Sequence, residues 1–145
     1  TLSRAEASTF ATDLHSSPAL LNDNYEINDE KNIEVECRLF SDIDKGDIDL
    51  ISIDTEGSEW YVLSSMISRP KIISIETHGK YYLNPFLKRI NNWMILNDYE
   101  IWFKDKSDTV LYKKGLINLS LMEKVNLKLT NIYLWVRRNK KYLKL

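Results

Sequence analysis

The sequence predicts an α/β fold in which helices cover a mostly parallel sheet. Two apolar segments, IDLISID (48–54) and KIISIETHG (71–79), are each followed by an amphipathic helical pattern. Alternation of strands and helices is typical of parallel sheets, and strands poor in charge are typical of their covered centre. With 145 residues, 43% of them hydrophobic, the chain is long enough for one domain with its own core.

The elements before the first apolar segment are less regular. Residues 1–32 are mostly polar, so we predict an irregular lead-in with a short helix near Leu2–Phe10. IEVECRLF (33–40) alternates apolar and charged residues, which predicts a half-buried peripheral strand. After strand 48–54, apolar residues from Trp60 to Ile67 recur at helical spacing, and Arg69-Pro70 ends that helix.

The second half repeats the pattern. After strand 71–79, a helix is predicted over NPFLKRINNWMILND (84–98), then strands over YEIWFKD (99–105) and DTVLYKKG (108–115). INLSLMEKVNLKL (117–129) favours a helix, and NIYLWVRR (131–138) predicts a closing strand. We therefore divide the chain into a lead-in (1–32), a partial domain (33–138) and a basic tail (139–145), and we expect the four tryptophans to pack in the core.

Composition excludes several classes of partner and site. Twenty basic and 21 acidic residues give a net charge of −1, so no general attraction to nucleic acid or to an anionic membrane is expected. The single cysteine, Cys37, excludes an intrachain disulfide and a cysteine-based zinc site, and fits a cytoplasmic setting. No apolar run reaches the roughly 20 residues of a membrane span, and no secretory signal pattern opens the chain.

Polar residues follow both central strands where they end. Asp54-Thr55-Glu56-Gly57 comes after the first and Glu76-Thr77-His78-Gly79 after the second. Carboxyl ends of parallel strands meet at one edge of a sheet, where ligands bind, so the two tips are expected side by side. Helix capping by Asp54 or Thr55 is the structural alternative, but it requires one such residue and not two acids with a glycine.

Other chemistries find less support. Asp54, Glu56, Glu76 and His78 carry groups that suit divalent cations, yet no dedicated ligand spacing is present and we assign no metal. The four glycines, at positions 46, 57, 79 and 115, form neither a dinucleotide-binding loop nor a P-loop. No G-x-S-x-G nucleophile motif occurs.

The two tips and their surroundings resemble the FkbM-type S-adenosylmethionine-dependent methyltransferases. That family carries a strand ending in D-x-E-G-x-E, here Asp54 to Glu59, then an apolar helix, and then a strand ending in E-x-H, here Glu76 to His78. IEVECRLF, NDYEIWF and TNIYLWVRR resemble further strands of the family, so the resemblance covers roughly residues 30–138.

The resemblance implies a Rossmann-like class I methyltransferase sheet, mostly parallel with an antiparallel closing strand. It implies methyl transfer from S-adenosyl-L-methionine to a hydroxyl of a small-molecule or glycan acceptor, such as a sugar or natural product. Asp54 and Thr55 would face the cofactor. His78 would be the base, with Glu56 as the alternative and Asp54 beside the transferred methyl group. Acceptor contacts are expected from Thr55, Glu59, Glu76 and Thr77.

One departure from the family is large. Its glycine-rich cofactor loop and ribose-binding acid lie on amino-terminal strands, and neither motif is in this sequence. We therefore expect a carboxyl-terminal half-domain that needs the missing amino-terminal half, or a partner chain, to bind the cofactor.

Two other functions remain open. The chain is a non-catalytic remnant if no cofactor loop accompanies it. It is a receiver-like phosphoacceptor domain if Asp54 is phosphorylated, with Thr77 and Lys104 at the next two strand ends. The receiver also requires an acidic pair on its first strand, for which no convincing candidate exists.

Overall fold

A computed structural model describes residues 2–4, 9–11, 17–22 and 32–143. The described strands are β1 (Leu2–Arg4), β2 (Thr9–Ala11), β3 (Asn32–Ile33), β4 (Leu50–Ile53), β5 (Ile72–Glu76), β6 (Tyr99–Lys104) and β7 (Asp108–Lys113). The helices are α1 (Pro18–Asn22), α2 (Glu59–Ser65), α3 (Leu87–Leu96) and α4 (Leu121–Leu143), and a short 3-10 turn spans Phe40–Asp42.

The main sheet has four strands in the order β4-β5-β7-β6. β4 and β5 are parallel, with Ile53 opposite Ile75, whereas β7 is antiparallel to both of its neighbours. β6 therefore runs in the same direction as β4 and β5, which gives three parallel strands and one reversed strand. This α/β architecture confirms the predicted fold class.

The core lies where α2 and α3 pack against this sheet. Its buried members share an apolar character and come from every layer: Ile53, Leu63, Met66, Ile73, Ile75, Ile90, Trp93, Tyr99 and Leu111. Trp93 stacks on Tyr99 with ring centroids 5.4 Å apart, and the Tyr99 hydroxyl donates to the Pro70 carbonyl over 2.7 Å. The helical periodicity of residues 84–98 thus predicted the buried face of α3 correctly.

The loop before β4 is held by one buried carboxylate. Asp44 accepts hydrogen bonds from the backbone N–H groups of Gly46, Ile67 and Ser68 and from the Ser68 hydroxyl. Burial by itself raises the pKa of Asp44, but the hydrogen bonds outweigh it and lower that pKa to about 2. The entry to β4 and the exit from α2 are therefore fixed to each other.

Three predicted elements are wrong: the strand at 33–40, the helix near Leu2–Phe10 and the closing strand at 131–138. The alternating residues 34–39 pair with no described strand, and Val35 and Leu39 are exposed. Residues 2–4 and 9–11 are strands instead of a helix, and they form a small sheet with β3 in the order β2-β1-β3.

The closing strand predicted at 131–138 is also wrong. These residues continue α4, which contains no glycine or proline from its first residue to its last. A capping box starts the helix, since Ser120 Oγ accepts from Glu123 N–H and Glu123 Oε2 accepts from Ser120 N–H. The antiparallel strand of the sheet is β7, and Trp135, expected in the core, is 53% exposed.

No helix in the described part of the chain is both long enough and apolar enough to cross a bilayer.

Substitution of Leu63, whose side chain is fully buried between α2 and the sheet, tests this core. We expect Leu63→Ala to lower the free energy of unfolding by about 2–5 kcal/mol, because a cavity replaces packed methyl groups. Leu96→Ala is the control, since Leu96 is 82% exposed; it is expected to change stability by less than about 0.5 kcal/mol. Chemical denaturation measures both, and equal losses would contradict the assigned core.

Candidate active site

The chain turns sharply where β4 ends. Glu56 has φ of 54° and Gly57 has φ of 103°, so two consecutive residues lie in the left-handed region. Glycine adopts this conformation without cost, but a residue with a side chain does so at about 1–3 kcal/mol. Such strain persists only where surrounding contacts hold it, and here they come from one side chain of α2.

That side chain is Glu59, which has no exposed surface. Its Oε1 accepts hydrogen bonds from the backbone N–H groups of Thr55 and Gly57, both at 3.0 Å, and from the Thr55 hydroxyl at 3.3 Å. α2 has no side-chain cap at Ser58, so capping by Asp54 or Thr55 does not occur. Glu59 was expected to contact an acceptor, but its burial favours a positioning role.

Asn84 connects the first tip to the second. Its amide N–H group donates to Glu59 Oε2 over 2.5 Å and to the Glu76 carbonyl over 3.5 Å. The Asn84 backbone N–H donates to the Thr77 carbonyl at 3.0 Å, and its Oδ1 accepts from Phe86 N–H at 2.8 Å. One buried amide thereby joins the turn after β4, the end of β5 and the start of α3.

The two tips lie side by side, as the sequence predicted. Carboxylate oxygens of Asp54, Glu59 and Glu76 lie within 4.8 Å of one another. Asp108 pairs with Glu76 across β5 and β7, so acidic residues follow one another along three neighbouring strands. Asp54 is exposed and Glu76 is partly buried, so a ligand at this edge of the sheet meets these two carboxyl groups first.

Glu76 has the most perturbed carboxyl group of this cluster. Burial, followed by the negative charges of Asp54, Glu56, Glu59 and Asp108, raises its pKa to about 8. Its buried Oε2 has no hydrogen-bond partner among the described residues. Burial and the charges of Glu59 and Glu76 also raise the pKa of Tyr82, which keeps that nearby hydroxyl protonated. Glu76 is therefore a carboxyl group that exchanges a proton near neutral pH.

His78 lies in a different environment and is only 2% exposed. Its Nε2 lies 3.1 Å from the Asp105 carbonyl, which can only accept, so Nε2 carries the proton. Nδ1 then accepts from the Thr77 hydroxyl at 2.8 Å, and that oxygen accepts from the Thr109 hydroxyl at 2.6 Å. Burial lowers the pKa of His78, with Lys104 and Arg138 contributing, so the ring is neutral and both nitrogens are occupied. This geometry disfavours the role of base that was expected for His78, and the burial of Thr77 disfavours an acceptor contact.

The receiver-like alternative fails on strand order. It places Asp54, Thr77 and Lys104 at three successive strand ends, but β7 lies between β5 and β6. Lys104 is on β6, two strands away from β5, and its side chain lines the small cavity beside Thr77 and His78 instead of the carboxyl groups of Asp54 and Glu76.

The acidic cluster by itself does not specify a metal. Both oxygens of Glu59 already accept hydrogen bonds, which leaves Asp54 and Glu76 as the oxygens best able to bind a cation. His78, the nitrogen ligand considered from sequence, is held by Thr77 and Asp105.

Sequence reasoning missed three residues of this region: Asn84, Tyr82 and Asp108. Asn84 and Tyr82 lie in the loop between β5 and α3; the predicted helix started at Asn84, but α3 begins at Leu87. Asp108 begins a predicted strand, and it reaches the cluster only because β7 is antiparallel to β5. An acid at the first residue of a reversed strand is a signal that could be used once strand direction is known.

Glu59→Gln tests whether the buried carboxylate holds the turn. The amide nitrogen would face the Asn84 amide that now donates to Oε2, so we expect a loss of about 1–3 kcal/mol in the free energy of unfolding. Glu36→Gln is the control, because Glu36 is exposed. Denaturant titration measures both; a Glu59→Gln variant as stable as the control would refute the positioning role.

Glu76 also predicts how stability depends on pH. Its folded pKa of about 8 lies above the ordinary value of 4.5, so the folded state retains a proton that the unfolded state has lost between these pH values. The contribution of Glu76 is therefore complete below about pH 4.5 and is lost as pH rises toward 8. Thermal unfolding at several pH values should show Glu76→Gln losing less stability over this interval than the parent; parallel curves would contradict the assignment.

One comparison with known proteins covers the part of the chain that contains both tips. A family model described as the methyltransferase FkbM domain matches residues 2–101, which is 100 of the 145 residues and includes both tips. No curated protein and no solved structure matches the chain significantly. From this match over most of its length, the chain belongs to the FkbM methyltransferase domain family.

Proposed function

We propose that this chain carries the acceptor side of an S-adenosylmethionine-dependent O-methyltransferase. The observation that carries the proposal is the pair of carboxyl groups, Asp54 and Glu76, held together at the ends of two parallel strands. Ligands of open α/β sheets bind at this edge. The family resemblance implies that the acceptor is a hydroxyl of a sugar, glycan or natural product, and this edge offers a base that could remove the hydroxyl proton.

The acidic edge suits one part of the cofactor. S-adenosylmethionine bears a positive sulfonium, and Asp54 and Glu76 would lie toward it, where carboxylate charge favours a cation, with Thr55 next to Asp54 in the chain. When bound, the cofactor supplies an activated methyl group. The glycine-rich motif that would hold its nucleoside is not in the sequence, so we propose that other polypeptide, in the same protein or a partner chain, supplies it.

Glu76 is the base that the geometry supports best. Its buried Oε2 accepts no hydrogen bond from the described residues, burial and neighbouring charges raise the pKa of its carboxyl group to about 8, and Asp54 lies beside it. A nearby positive charge lowers the pKa of a carboxyl group, so cofactor binding favours the carboxylate form that accepts the hydroxyl proton. Asp54 orients the reacting groups, Glu56 is the alternative base, and Glu59 and Asn84 hold the edge in shape.

The cellular setting follows from the same proposal. The free thiol of Cys37 is exposed, which fits the reducing cytoplasm where S-adenosylmethionine is abundant enough to serve as a substrate.

The pH dependence of methyl transfer distinguishes Glu76 from His78. For the intact protein and a hydroxyl acceptor, kcat/KM for S-adenosylmethionine should rise with pH through an inflection near 8, the pKa of Glu76 before the cofactor binds. Glu76→Gln should lower kcat/KM by about 10²–10⁴-fold and remove the inflection. Asp54→Asn should also lower turnover, because it removes the neighbouring carboxylate.

His78→Gln is the matched control, since it keeps a hydrogen-bonding side chain in the Thr77 and Asp105 network. We expect it to keep the inflection; its loss in His78→Gln alone would assign the base to His78. Parent turnover in both Glu76→Gln and Asp54→Asn would refute the site. An intact protein that neither binds S-adenosylmethionine in calorimetry nor transfers a methyl group would be the non-catalytic remnant.

A further inference from the structure

α4 is a long helix with one face packed on the domain. Its 23 residues extend about 34 Å at 1.5 Å per residue. Leu134 is 4% exposed and, with Arg138, borders a cavity of about 60 Å³ beside Thr77 and His78. β6 is the strand that this helix lies against. The sheet therefore accounts for one apolar face of α4.

A second apolar face points away from the sheet. We define the outer face of α4 by six exposed side chains at helical spacing: Leu121, Met122, Val125, Leu129, Ile132 and Tyr133. Leu121 is 80% exposed and Ile132 is 59% exposed, and Trp135 borders the same face. Large apolar side chains that are exposed together along one helix are typical of an interaction site.

The charge of α4 indicates which kind of surface the outer face binds. The helix has six basic residues and one acidic residue, a net charge of +5, whereas the whole chain has −1 and the remainder therefore −6. Lys124 and Lys128 are exposed along one border of the outer face, and Lys140 is exposed near its end. Although the net charge of the whole chain is close to zero, α4 is a basic amphipathic helix. This pattern is typical of helices that lie on membrane surfaces.

The remaining part of a methyltransferase sheet is not placed to cover this face. Among the described residues, β4 pairs only with β5 and lies at one edge of the main sheet, whereas β6 and α4 lie at the other. Strands added beside β4 would be at least four strand spacings, about 19 Å, from β6. A second copy would place two helices of charge +5 about 8–10 Å apart, where like charges repel.

We propose that the outer face of α4 lies on an anionic lipid surface. The helix axis lies parallel to the membrane plane, and the apolar side chains enter the boundary between headgroups and acyl chains. Tyr133 and Trp135 occupy the polar interface that aromatic rings with polar groups prefer. Lys124, Lys128 and Lys140 extend along the border to lipid phosphate and carboxylate groups.

Flotation of the full chain with vesicles tests this inference. Vesicles of phosphatidylcholine alone are compared with vesicles that contain about one quarter phosphatidylserine, at about 0.1 M salt. We expect binding to the anionic vesicles only. Leu129→Glu with Ile132→Glu, and separately Lys124→Glu with Lys128→Glu, should each weaken that binding about tenfold or more.

Two controls place the same chemical changes elsewhere. Leu96→Glu and Lys88→Glu alter exposed residues of α3 and should leave vesicle binding within about twofold. Circular dichroism confirms that every variant keeps its helix content. No binding, equal binding to both vesicle types, or equal loss in the α3 variants would overturn the proposal. It would also be overturned by a dimer, seen by sedimentation without lipid, that Leu129→Glu with Ile132→Glu dissociates; the outer face would then bind a second copy.

Discussion

The acidic edge depends on a single buried charge. Burying a carboxylate is costly unless donors surround it, and the Glu59 carboxylate receives them from Thr55, Gly57 and Asn84. Two of these donors are backbone N–H groups of a turn with consecutive left-handed residues, which isolated peptide would rarely adopt. The third reaches across to β5. Satisfying Glu59 therefore fixes both the turn conformation and the separation of the strand tips.

The same arrangement explains why Glu76 differs from its neighbour. Local donors are directed at Glu59, so Glu76 lies in the field of several carboxylates without a donor for its Oε2. A group in that position lowers its energy by keeping a proton. Two acids that are close in space thus differ in environment: Glu59 accepts hydrogen bonds that hold the backbone, whereas Glu76 has a raised pKa, a contrast typical of paired carboxyl groups in active sites.

Elements that follow from a local sequence pattern were predicted, whereas features that depend on residues distant in the sequence were not. β4, β5, β6, β7 and α3 follow from apolar runs and periodicity, and the joining of Asp54 with Glu76 follows from parallel strands. The position of His78 could not be predicted in this way, because His78 lies beyond the end of β5, where the chain is free to turn. Here its ring lies against the Asp105 carbonyl. The strand expected at 33–40 required a partner that alternation alone cannot supply. α4 was divided in error because its second half is rich in β-branched and aromatic residues, although nothing in it breaks a helix.

A helix with apolar residues on two sides has two faces that are suited to burial. In α4 the inner contact is visible: Leu134 is buried beside the cavity that Thr77 and His78 also line. In this buried setting His78 is held neutral, and its hydrogen bonds to Thr77 and Asp105 join β5 to the loop before β7. The histidine of the E-x-H motif therefore has a physical reason to be buried that is independent of proton transfer. Its hydrogen bonds hold the chain directly after Glu76, the residue whose carboxyl group belongs to the acidic edge.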